Sequence, residues 1–286
     1  GLLSGLAIAS KVSVWPLVGI VGLAGFLDSS TSSPTNDASQ SSRRLQLDIT
    51  LPRLAALALA GVCAVVAFRA TQPYAFAGPG FLGVRLNPSW LNTMRNIRDL
   101  MRGVQDVPYG HQWTKRTPIF FPWRNMVFWG LGLPLGLAAW LGWAGMGWEL
   151  GRGRHRHLLI WLWGTGFFLY QATQWVKSMR YLLPVYPVFV LFAAWAVWKL
   201  RMHKTSRTTL RRLASVVPIL LILGTTLWCI AFLTIYQRPL TRIAASEWLY
   251  DNVPTAVVLE TDSGPINVPW SPSLTLTDET PTASTQ

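Results

Sequence analysis

The segment Gln174-Trp175-Val176-Lys177-Ser178-Met179-Arg180-Tyr181 lies between two apolar runs and carries two cations three residues apart, with Trp175, Tyr181 and Tyr186 around them. Arginine offers a forked set of donors and lysine a compact point charge, the two groups best suited to hold a phosphate ester at a membrane surface. Anchoring is the simpler reading, because Lys, Arg, Trp and Tyr gather at water–lipid boundaries in any case, and spacing alone favours it. Gln112-Trp113-Thr114-Lys115-Arg116 sets two further cations at the edge of another apolar run, interfacial first and phosphate-binding second. Arg95, Arg98 and Arg102 recur at three- and four-residue steps. They read first as a stripe attracted to anionic headgroups and second as one wall of a phosphate-binding cleft. Lys11 interrupts an apolar run, where an ammonium is costly unless it faces a cavity or a partner. Ser10 and Ser13 beside it suggest a polar face inside a bundle.

Other chemistries leave no mark. His111, His155, His157 and His203 lack the thiolates or carboxylates at the spacing a metal would need. Neither a phosphate-cradling glycine loop nor a nucleophile elbow is present, and no pair of intramembrane carboxylates suggests proton-coupled transport. The carboxylates available to a transfer reaction are Asp99, Asp106 and those of the C-terminal tail, and none stands in a context that marks it.

These side chains have to be positioned by a membrane protein. Of 286 residues 51% are hydrophobic and 13% charged, against about 25% charged in a soluble domain. Mean hydropathy is +0.31. Disorder is excluded by the aromatic content, and a disulfide framework by Cys63 and Cys229, each inside a long apolar run. The net charge of +13 does not indicate nucleic acid, because the basic residues lie between apolar runs rather than on one face. Six stretches have the apolar character of a bilayer-crossing helix: 1–27, 54–68, 122–147, 158–175, 181–198 and 213–236. The expected fold is therefore all-α, a polytopic transmembrane bundle of about six spans over residues 1–236. The second span needs Arg53 and Arg69 to snorkel, and the third should kink at Pro134. Gly132-x-x-x-Gly136 in the third would permit close helix packing. The opening Gly1-Leu2-Leu3, without Met and already apolar, leads to the expectation of a fragment whose preceding part holds the catalytic chemistry.

Basic residues at 43–44, 152–156 and 201–212 alternate with the long segment 70–121, the turn at Lys177–Arg180 and the tail 237–286. With the basic loops cytoplasmic, the other three face outward. The tail has Arg238 and Arg242 against six carboxylates, and should form a helix over 243–250, a strand over 256–260 and a partly disordered end. Within the long segment, Asn87-Pro88 reads as an N-cap followed by proline at the first helical position. Trp90, Met94, Ile97, Met101 and Val104 then form one apolar stripe, offset from the arginines. The helix 88–104 is expected to lie in the outer membrane interface with Arg95, Arg98 and Arg102 contacting lipid.

Several strings together resemble a known family: Gly5-Leu6-Ala7-Ile8-Ala9-Ser10-Lys11, Gln72-Pro73-Tyr74-Ala75-Phe76, Gln112-Trp113, Lys177 through Pro187, and Thr241 through Trp248. They are similar to bacterial polytopic glycosyltransferases of the GT-C class, in particular the phospholipid-carrier-dependent, protein-mannosyltransferase-like members of family 39. The Lys177–Pro187 string is the most specific. The resemblance implies an integral enzyme of the bacterial plasma membrane, active in protein glycosylation or the cell envelope. It would transfer a sugar from a polyprenyl-phosphate donor, with inversion, to a protein, lipid or glycan acceptor on the extracytoplasmic side. It also implies a catalytic base, and in some members a divalent metal, in an outer loop preceding anything that corresponds to Gly1. No cofactor is therefore expected of this chain, which alone should be inactive. By position, carrier-phosphate binding falls to Lys177, Arg180 and Arg116. Relatives carry Glu-x-Trp-Asp-Asp after the tail strand, where this chain reads Glu260-Thr261-Asp262-Ser263. The rival expectation is a non-enzymatic membrane protein, a lipid-linked-sugar flippase or transporter component, for which two repeats with matching broken helices would be the sign.

Overall fold

The computed structural model describes residues 1–28, 46–47, 49–78, 80, 83, 85–105, 107–202, 208–237, 240–252, 257–261 and 264–268. It is helical, in two compact units, Gly1–Trp228 and Cys229–Gln286. The first unit opens with α1 (Leu2–Ser10), α2 (Leu17–Phe26) and α3 (Leu51–Thr71). It continues with α4 (Pro88–Arg102), α5 (Phe120–Asn125), α6 (Leu133–Gly151), α7 (Leu158–Ala172), α8 (Tyr186–Met202) and the greater part of α9 (Thr208–Leu233). Two-residue antiparallel pairings, β1 (Leu27–Asp28) with β2 (Gln46–Leu47) and β3 (Phe76–Ala77) with β4 (Arg85–Leu86), close two of the connections.

Three helical segments are long and apolar enough to cross a bilayer: Leu51–Thr71, Met179–Met202 and Ser215–Leu249. On α3, Leu59, Val62, Val65 and Val66 are each more than half exposed. So continuous an apolar surface is tolerable in lipid and not in water. The chain is thus a helical membrane protein, and these three segments fall on the second, fifth and sixth of the expected stretches.

The first and third stretches depart from single straight spans. Residues 1–27 break at Lys11, whose backbone is extended (φ −153°, ψ 102°). Helix α1 runs beside α3 in the same direction, with Gly5 against Ala64 and the Gln72 side chain on the Ala9 carbonyl. Helix α2 then turns back, so that Gly25 meets Leu57. Lys11 sits at the bend of this helical hairpin rather than midway along a span. In the third stretch the interruption precedes Pro134. A π-helical turn over Met126–Gly130 leads to Gly132 (φ 80°, ψ 147°), and Pro134 then lies in the first turn of α6. Proline is tolerated there because its missing N–H would be unbonded anyway, so the π-turn and the glycine make the bend instead.

The core lies between α6, α7 and α8. Met126, Phe189 and Phe192 are fully buried, and Trp140 meets Phe168 and Phe189 at ring-centre distances of 5.1 and 4.8 Å. Helices α6 and α8 pack backbone to backbone at Gly142, where any side chain would run into the Phe192 carbonyl. Gly132 and Gly136 instead face different partners, Trp228 and Val127. At the far end of the bundle the nearly buried Glu149 carboxylate accepts from Lys199 and, at 3.3 Å, from Arg154, tying the ends of α6 and α8 together.

The second unit holds the end of α9, α10 (Thr241–Asn252) and an antiparallel hairpin of β5 (Val257–Thr261) with β6 (Gly264–Val268), registered Val257 to Val268 and Thr261 to Gly264.

Candidate cation site at one end of the bundle

Residues 173–185 connect α7 to α8, the latter part as a 3₁₀ helix over Met179–Val185. Leu182 and Val185 are buried in the core and hold this turn in place. The long segment is stitched to the same turn. Helix α4 starts as expected, with Asn87 Oδ1 accepting from the Ser89 N–H at 3.0 Å and Pro88 in first place. It stops at Gly103 (φ 74°), where the left-handed backbone favours glycine. The Trp175 indole packs directly on Gly103, and the Trp175 N–H donates to the Met101 carbonyl at 2.8 Å. Further on, the Ile119 N–H donates to the Ala172 carbonyl at 3.2 Å. Trp90 meets Phe68 of α3 edge-to-face at 6.3 Å, so part of the apolar stripe of α4 is used within the protein.

The turn carries Lys177 and Arg180, and Lys11 meets the second of them. Lys177 is 6% exposed. Its Nζ donates to the Trp175 carbonyl at 3.2 Å and lies 5.6 Å from the centre of the Trp175 ring. Burial pushes its pKa below the ordinary lysine value. Lys11, arriving on the hairpin bend, donates to the Arg180 carbonyl at 2.7 Å. The Lys11 ammonium and the Arg180 guanidinium lie 5.2 and 5.1 Å from the centre of one ring, that of Tyr181, whose hydroxyl accepts from Arg180 at 3.3 Å. Among the described residues no carboxylate pairs with any of the three. Two like charges sharing one ring repel by on the order of 1 kcal/mol at the dielectric of a protein surface. An anion with several oxygens would relieve that repulsion and occupy the unused donors of the ammonium groups.

The other expected residues stand apart. Arg116 donates to the Gln112 carbonyl at 3.4 Å and lies over the Phe121 ring at 5.2 Å, without contact to Lys11, Lys177 or Arg180. Arg95, Arg98 and Arg102 are exposed on α4, with Arg98 3.4 Å from Asp99. Asp106, Asp262, Asp278 and Glu279 lie outside the described residues, as do Lys204, Arg207 and Arg238. Sequence reasoning placed Lys11 on a polar face inside the bundle with Ser10 and Ser13, and Trp175 and Tyr181 at the water–lipid boundary. Their role as platforms for Lys177, Lys11 and Arg180 had no local signal. Comparison with known proteins finds no match to this chain among family models, curated proteins or solved structures.

Proposed function

We propose that this chain belongs to a membrane glycosyltransferase of the GT-C kind and supplies its site for the phosphate of a polyprenyl-linked sugar on the extracytoplasmic side. The observation that carries the reading is the meeting of Lys11 and Arg180 on Tyr181, on the turn that also carries the buried Lys177, with no carboxylate among the described residues paired to any of them. A sugar phosphate ester leaves as a phosphate when its anomeric bond breaks, so cations set around that phosphate stabilise the charge that develops. The surrounding apolar helices suit a carrier whose chain stays in the bilayer while its head reaches the three cations. The general base of such a transfer is not among these residues.

The test is binding of a short polyprenyl phosphate to the protein in nanodiscs, followed by native mass spectrometry. Lys177→Ala combined with Arg180→Ala should weaken binding at least about tenfold, the worth of one charge-assisted hydrogen bond. Arg116→Ala should leave it within about twofold. Equal affinity of the double variant and the unaltered protein would remove the assignment. Translocation of a labelled lipid-linked sugar without transfer would favour a flippase.

A further inference from the structure

At the other end of the bundle α6 runs into a connection without a carboxylate, Gly151-Arg152-Gly153-Arg154-His155-Arg156-His157. The acidic residue nearest in sequence, Glu149, is nearly buried and already serves Lys199 and Arg154. Arg152 and Arg156 have no carboxylate partner among the described residues. The chain reverses at Gly153 (φ 80°), where the Gly153 N–H donates to the Leu150 carbonyl and the Arg154 N–H to the Glu149 carbonyl. This closing motif occupies the last carbonyls of the helix, so an anion beside the connection does not face them unpaired. The Arg152 guanidinium lies over Trp148, 4.8 Å from its ring centre. Contact with an indole face consumes none of the five N–H donors, and among the described residues no protein acceptor takes one.

Trp148 and Arg152 also line a cleft of about 510 Å³, together with Ala144, Gly147 and Gly151. It lies beside the faces that α6 gives to its neighbours: Gly142 and Gly145 meet Phe192 and Trp195 of α8, and Gly147 lies against Trp161 of α7. Trp148 and, two turns earlier, Leu141 are 65% and 71% exposed, a surface suited to hydrocarbon. Apolar along the helix and cationic at its end, the cleft has the layout of a phospholipid, with an acyl chain along α6 and a phosphate at Arg152. Charge selects the headgroup. A phosphodiester without a compensating cation gains from Arg152 and from the surplus charge around it. A choline headgroup would bring a quaternary ammonium in among Arg152, Arg154 and Arg156. A soluble phosphate would leave the apolar lining unused.

We infer that the cleft at Ala144, Gly147, Trp148, Gly151 and Arg152 binds one anionic phospholipid of the adjoining leaflet. Its phosphate sits on Arg152 and an acyl chain runs beside Trp148. The site shares no residue with the turn at Lys177 and does not depend on the proposed activity.

The experiment follows the emission of Trp148, taken as the difference between the protein and its Trp148→Phe variant, in phosphatidylcholine nanodiscs. Phosphatidylglycerol or phosphatidylcholine brominated on the upper acyl chain is added as a short-range quencher. Phosphatidylglycerol should half-quench at a mole fraction about tenfold below that of phosphatidylcholine, the gain from one hydrogen bond between charged groups. Arg152→Gln should make the two lipids equal while phosphatidylcholine still quenches, which shows that the variant folds with Trp148 in lipid. Gly151→Leu puts a side chain into open space, fills the cleft and should likewise remove the preference. Lys177→Ala with Arg180→Ala should leave it intact. Equal half-quenching by both lipids in the unaltered protein would reduce the cleft to ordinary lipid contact and overturn the inference. So would a preference that survives either cleft variant or is lost in the Lys177 and Arg180 variant. Quenching unchanged by Trp148→Phe would show that this indole does not face lipid, with the same consequence. Displacement of phosphatidylglycerol by millimolar inorganic phosphate would make the ligand a soluble anion and also overturn it.

Discussion

A lysine ammonium with little solvent and one carbonyl for its three donors is held against its own solvation, and Lys177 is in that position. Burial depresses its pKa from the ordinary 10.5, so within the window below that value the folded protein holds fewer protons than the unfolded chain. The stability of the ligand-free protein therefore rises as pH climbs through this window, whereas affinity for a phosphate falls as the ammonium is lost. Polyprenyl phosphate titrated at a series of alkaline pH values should bind progressively less well. Lys177→Arg, whose guanidinium keeps its proton, should flatten that profile with Lys11 and Arg180 unchanged. An identical alkaline loss in both proteins would exclude Lys177 as its cause. Of this site, the cation pair and the rings around it were legible from residue type and spacing. Lys11 was noticed as an anomaly, but its partner lies 169 residues away and nothing local pointed there.

The helices divide into those whose form is written in nearby residues and those shaped by their neighbours. Helix α4 has an asparagine cap, a leading proline, a repeating apolar stripe and a terminal glycine, all local signals, and it forms over nearly the expected residues. The helix pair at the start of the chain and the π-turn before α6 lack such signals, because their apolar residues would suit one straight helix equally well. The contact of α6 with α8 is also set by packing. Gly142→Val would drive a branched side chain into the α8 backbone at Phe192, whereas Gly166 has open space at its Cα. Gly142→Val should lower stability by about 1–3 kcal/mol, the cost of overpacking a tight contact. Thermal unfolding in detergent should show a clear fall for Gly142→Val and almost none for Gly166→Ala.

The first unit has two ends of different character. One carries the three cations and the attached segment 101–119; the other carries Glu149, Arg154 and Lys199. Helix α7 separates them by its 15 residues, about 22 Å. With the first end outward, Tyr109→Cys in a background of Cys63→Ala and Cys229→Ser should react with a membrane-impermeant maleimide in intact spheroplasts. Arg154→Cys should react only after permeabilisation, and the reverse pattern would invert the proposed orientation. The amino-acid sequence by itself established that this chain is a helical membrane protein, where three of the six expected spans lie and where α4 begins. Composition and short-range periodicity carry that information, because a bilayer demands apolar surface and internally bonded backbone over about 20 consecutive residues. The bend at Lys11, the crossing at Gly142 and the seating of Lys11 beside Arg180 followed only from the packed structure. Each depends on which helix faces meet, and apolar faces of similar composition do not name their partners until the bundle has formed.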